Sequence, residues 1–112
     1  MGFICCRLGG RHHRREVRTP AQEQQARDLT KRAIAKSQGG DHQQAVDLYL
    51  VAYKIVPNAM LLSNVGAEYQ QMNKPVEALR YFCMYLEKDP TGTNASFATS
   101  QAKLLQMALG NK

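Results

Sequence analysis

The sequence predicts an all-α fold, an antiparallel helix-turn-helix array of about five helices, on three observations. Apolar residues recur at threes and fours along most of the chain, the spacing that lines one face of a helix. Gly39, Gly40, Pro57, Pro75 and Pro90 cut that pattern into helix-length pieces. The stretch GGDHQQAVDLYLVAYKIVPN, residues 39–58, has a near-double further on in MNKPVEALRYFCMYLEKDPTG, residues 72–92.

The elements follow in order. Residues 1–20, MGFICCRLGGRHHRREVRTP, hold paired glycines, paired histidines and five arginines without an apolar period, which predicts a disordered basic arm. The helical domain is expected over 21–112. From Ala21 to Gln38, Ala26, Leu29, Ala33, Ile34 and Ser37 fall on one face, and Gly39 and Gly40 stop the helix. Asp41 caps a second helix carrying Ala45, Leu48, Tyr49, Ala52 and Tyr53, which Pro57 ends. Asn58 caps a third, running to about Met72 with Leu61, Leu62, Val65, Gly66 and Tyr69 inward. Pro75 opens a fourth, with Ala78, Leu79, Phe82, Tyr85 and Leu86 inward and Pro90 beyond its end. A polar turn with Asn94 or Ser96 as cap leads to a fifth helix over about 95–109, marked by Phe97, Ala98, Ala102, Leu105 and Leu109.

Superimposing the copies pairs Ala45 with Ala78, Tyr49 with Phe82, Ala52 with Tyr85 and Pro57 with Pro90, every pair at the same interval. A fixed period joining small, large and helix-ending positions marks stacked supersecondary units. On these residues, with Gly66, Ala67 and Tyr69 of NVGAEYQQM, the chain resembles the tetratricopeptide repeat family, and within it small bacterial proteins of two repeats and a C-terminal capping helix. The interval is one short of that family's unit of about 34 residues, a difference the turn can absorb. The resemblance covers about residues 26–92. It departs from the family where Leu29 and Leu62 replace a leading aromatic and Lys36 replaces another.

The resemblance implies units over about 26–58 and 59–92, a solvent-facing capping helix, and a non-enzymatic scaffold or adaptor. In such arrays the first helix of each unit lines a concave groove that takes a peptide or helix of a partner protein. The matching positions here are Arg27, Thr30, Lys31 and Ile34, then Met60, Ser63, Asn64, Ala67, Gln70 and Gln71. One family subgroup clamps a chaperone's terminal carboxylate with lysine, arginine and asparagine. Asn64 fits that clamp, but Thr30 and Ile34 stand where a lysine and an asparagine are needed, so the clamp is rejected. Ala45, Tyr49, Ala52, Pro57, Gly66, Tyr69, Ala78, Phe82, Tyr85 and Pro90 are the structural repeat positions. Two units lie near the lower limit for an independent array, which predicts marginal stability or help from a partner or a second copy.

Charge adds a competing reading. The formal net charge is +6, but residues 1–20 hold five arginines against Glu16, leaving ten Lys/Arg against eight Asp/Glu elsewhere. The basic signal belongs to the arm, so the alternative function is nucleic-acid or anionic-membrane attachment through it, with deletion of residues 1–20 as the discriminating change. For the helical body, nucleic-acid and membrane partners are disfavoured and self-association is admitted.

Catalytic motifs are absent from the sequence: there is no GxSxG, HExxH or GxxxxGK[ST]. Cys83 reads as a buried, reduced, inert thiol, and Met60, Met72, Met84 and Met107 read mostly as core. Cys5, Cys6, His12 and His13 are of zinc-binding type, yet adjacent pairs do not offer tetrahedral spacing, so neither a metal nor a cofactor is expected. The MG…CC start suggests lipidation, but Cys6 stands where the myristoylation pattern needs Ser or Thr. No intact signal peptide is seen, which favours the cytoplasm, whereas the proteins it resembles are often exported or envelope-attached.

Overall fold

The computed structural model describes residues 18–110, and every regular element within them is helical. Helix α1 spans Pro20–Gln38, α2 His42–Ile55, α3 Ala59–Gln71, α4 Pro75–Lys88 and α5 Ala95–Gly110. Each helix packs on its chain neighbour, and the short connections reverse direction each time. The shortest dimension of the body is 19 Å, the thickness of two helices. One layer therefore holds α1, α3 and α5, the other α2 and α4.

Local chemistry sets the ends. Asp41 accepts the Gln44 N–H at 3.3 Å and Asn58 accepts the Met60 N–H at 3.0 Å, as their cap positions predict. The first helix starts one residue before its expected position, because Thr19 and Gln22 form a reciprocal capping box with both bonds at 3.0 Å and Pro20 opens the first turn. The last residues assigned to the arm thus belong to α1 and its cap. Residues 1–17, with Cys5, Cys6, His12, His13 and four of the arm's arginines, lie outside the described residues.

The repeat extends to the hydrogen bonds of the turns. Asp41 N–H donates to Lys36 O at 2.8 Å and Gly40 N–H to Ser37 O at 3.0 Å; one period on, Lys74 N–H donates to Tyr69 O at 2.9 Å and Asn73 N–H to Gln70 O at 3.0 Å. The residue at the apex is left-handed in both copies, Gly40 at φ 89° and Asn73 at φ 61°. Glycine and asparagine are the two residues that tolerate that conformation best, so the two turns close alike despite different sequences. Gly39, expected to share this role, has φ −85°.

Packing repeats as well. Ala45 and Ala78 are fully buried, as are Ala52, Phe82 and Tyr85, with Tyr49 nearly so. One apolar cluster joins Ala26, Ala33, Ala45, Val46, Tyr49, Ala52, Leu61 and Val65; the other joins Leu62, Ala78, Phe82, Tyr85, Ala95, Ala98 and Ala102. Helix α3 serves both, turning Leu61 and Val65 one way and Leu62 the other, so each unit is stabilised by the next. Tyr69 is half-buried and stacks on Tyr81 with ring centroids 5.7 Å apart, bridging the clusters.

Helix α5 continues the register. The interval that carries Ala45 to Ala78 carries Leu62, Val65 and Tyr69 to Ala95, Ala98 and Ala102, which are its buried residues. It therefore takes the seat of a third unit's first helix, in an alanine version.

Three expectations need correction here. Phe97, expected inward, is 45% exposed: in the register of α5 it is Ala98 that is fully buried, and the Phe97 ring reaches α4 only edge-on, at Phe82. Met60 and Met107, expected mostly in the core, are exposed for the same reason of register, while Met72 and Met84 are half-buried. Cys83 is buried as expected but disulfide-bonded rather than reduced. The chain's other cysteines, Cys5 and Cys6, lie outside the described residues.

Candidate functional site

An open groove of about 570 Å³ lies between α1 and α3. Ala26, Val56, Met60 and Leu61 form its apolar lining, and Glu23, Arg27, Thr30, Lys31, Asn58 and Asn64 its polar one. Helical periodicity brings these side chains together: Arg27, Thr30 and Lys31 follow at threes and fours on α1, and Met60 and Asn64 stand four apart on α3. Five of the ten sequence-predicted groove residues line this cavity: Arg27, Thr30, Lys31, Met60 and Asn64.

The others are placed differently. Ile34 is exposed further along α1, and Gln71 is exposed at the end of α3, with Ala67 half-buried between. Ser63 is 2% exposed and its Oγ accepts from Asn94 Nδ2 at 2.6 Å. Gln70 Nε2 donates to Gln101 Oε1 at 2.7 Å. These two side chains hold α5 and its approach segment against α3, an outcome that a pattern of exposed polar positions does not reveal. The Asn94 Nδ2 donor is thereby committed to Ser63.

The groove's electrostatics follow from what its cations lack. Arg27 Nη2 donates to the neutral Gln24 Oε1 at 2.9 Å, and Thr30 Oγ1 donates back to Ala26 O at 2.8 Å. Among the described residues no carboxylate pairs with Arg27 or Lys31; Glu68 Oε1 instead lies 2.6 Å from His42 Nδ1, a contact that ties α2 to α3. Two cations against Glu23 leave the groove net positive. Among the described residues no group of three or more His, Cys, Asp or Glu could hold a metal ion, and no helix is long and apolar enough to cross a membrane.

Sequence reasoning missed a polar clasp between the end of α4 and the approach to α5. The Asn94 N–H donates to Tyr85 Oη at 3.2 Å, and the Tyr85 hydroxyl donates to Asp89 Oδ2 at 3.4 Å. Burial pushes the Tyr85 phenol above its ordinary pKa; the Asn94 N–H pulls it back and Asp89 adds to the rise. Tyr49 is raised by burial and then by Glu68, and Tyr53 by burial. A phenol held above its unfolded value of about 10 stabilises the fold fully below that pH. That stability is lost as pH rises through the folded value, because the unfolded chain ionises first. Urea midpoints should therefore fall above about pH 10, and Tyr85→Phe should flatten that fall while costing about 1 kcal/mol at pH 7 through its lost hydrogen bonds. Parallel alkaline limbs in the two proteins would show that Tyr85 does not contribute.

No known protein family, curated protein or solved structure matches the chain.

Proposed function

We propose that the chain is a tetratricopeptide-type, non-enzymatic interaction module that scaffolds a partner protein by holding a peptide or helix of it in the groove between α1 and α3. The single observation that carries this reading is the groove itself. It is open, about 570 Å³, floored by apolar side chains and rimmed by donors from the first helix of two successive units. Such a surface suits a segment whose backbone bonds to amides such as Asn64 and whose side chains reach the floor. The period shared by both turns and both packed helix pairs supports the kinship with tetratricopeptide arrays. Helices α2 and α4 are buttresses in this reading.

The test is selection of a random dodecapeptide library on the full chain, followed by anisotropy titration of the enriched peptides. Arg27→Glu with Lys31→Glu, and separately Met60→Asp, should each weaken binding by about tenfold or more. Their helical circular dichroism should match the parent's, since all three side chains are exposed. Binding unchanged in both variants would place the partner surface elsewhere.

A further inference from the structure

Resting on that reading, we infer that the partner segment carries two determinants: a large apolar side chain that seats on α5 and an acidic residue that meets α1. The concave face does not end at α3. Successive steps of the repeat interval lead from Lys31 to Asn64 and then Phe97, and from Gln38 to Gln71 and then Leu104. Asn64 opens into the groove between α1 and α3. Phe97 and Leu104 stand at the same register on a helix that α3 holds through Ser63–Asn94 and Gln70–Gln101.

The chemistry changes along this face. On α1 it is cationic, with Arg27 and Lys31 lacking a carboxylate partner among the described residues. On α3 it is mixed, with Met60 and Asn64. On α5 it is apolar: Phe97, Leu104 and Met107 are 45%, 59% and 64% exposed, and Lys103 is the helix's one charged residue. Three large apolar side chains exposed on one helix form a stripe of the kind that marks an interaction surface. The Phe97 ring is held edge-on by Phe82, centroids 5.8 Å apart, so the apolar seat is oriented before anything binds.

The graded face selects a ligand of matching polarity. An acidic residue over Arg27 and Lys31 gains charge-assisted bonds, and an apolar one over Phe97 and Leu104 removes that stripe from water. Two helix-to-helix steps put the poles on the order of 20 Å apart, or roughly six to eight residues of extended chain. A second copy of this chain fits less well, since its own α5 stripe carries no acidic residue to place over α1.

The peptide selection described above tests this when sorted by sequence and repeated on three forms of the full chain. On the parent, enriched dodecapeptides should pair Leu, Phe or Met with Asp or Glu about six to eight positions away. Leu104→Asp should abolish the apolar preference and keep the acidic one; Lys31→Glu should do the reverse. Selected peptides that depend on Arg27 and Lys31 but ignore Leu104→Asp would leave the groove reading standing and overturn this inference. Selection of no peptide at all would overturn both. Sedimentation of the parent as a dimer that Leu104→Asp splits would assign the stripe to a second copy and overturn the inference.

Discussion

Replacing Phe82 by alanine is expected to cost about 3–5 kcal/mol, enough to lower the melting temperature by roughly 15–30 °C. The ring is fully buried, meets the Phe97 ring on one side and lies against Gly66 on another, and belongs to the cluster joining α3, α4 and α5. Four members of that cluster are alanines, Ala78, Ala95, Ala98 and Ala102, which have no side chain to extend into the space. Thermal and urea unfolding check it; a loss under about 1 kcal/mol would mean that α5 is not packed as described.

Gly66→Leu should come second, at about 3 kcal/mol. A Cβ placed on Gly66 would lie 3.1 Å from three atoms of the Phe82 ring, Cδ2, Cε2 and Cζ. The ring would have to shift by a few tenths of an ångström for the Cβ alone, and it is itself 0% exposed. Helix propensity alone favours the substitution by about 1 kcal/mol, since glycine is the poorest helix former after proline. The sign of the measured change therefore decides between local propensity and interhelical packing. Any stabilisation of Gly66→Leu in urea titrations would mean that α3 and α4 are not in such close contact.

These two residues also show how much of the fold is legible in the sequence. The small-large rhythm at a fixed spacing encodes close helix approach, so Ala45, Ala78, Tyr49 and Phe82 are readable as core without coordinates. Caps at Asp41 and Asn58 are equally readable, because each side-chain oxygen needs only a local donor. Thr19 is legible in principle: Thr-Pro-Ala-Gln is a capping-box sequence, hidden because the basic residues before it suggest an arm that runs through it.

What stays hidden depends on contacts distant in sequence. Ser63 and Gln70 look like free polar groove positions from periodicity, yet each is bound by a side chain from the segment around α5. The outward turn of Phe97 is hidden because a large apolar residue beside alanines is ordinarily the one that packs. In α5 the buried residues are alanines, while Phe97, Leu104 and Met107 are exposed and Leu105 packs only in part, which inverts the usual pattern of a helix stripe. Half of the candidate groove, the pairing of Arg27, Thr30 and Lys31 with Met60 and Asn64, follows from the register of two first helices. The absence of a carboxylate beside the two cations does not, since Glu23 and Asp28 lie close to them on the same helix.

The central claim is that the layer of α1, α3 and α5 is the binding face. The most direct measurement is the change in backbone amide resonances of the full chain on titration with a selected dodecapeptide. Shifts should concentrate around Arg27, Lys31, Asn64 and Leu104, and α2 and α4 should stay near their free positions. Shifts centred on α2 and α4 would contradict the account, as would saturable binding that leaves α1 and α3 unmoved.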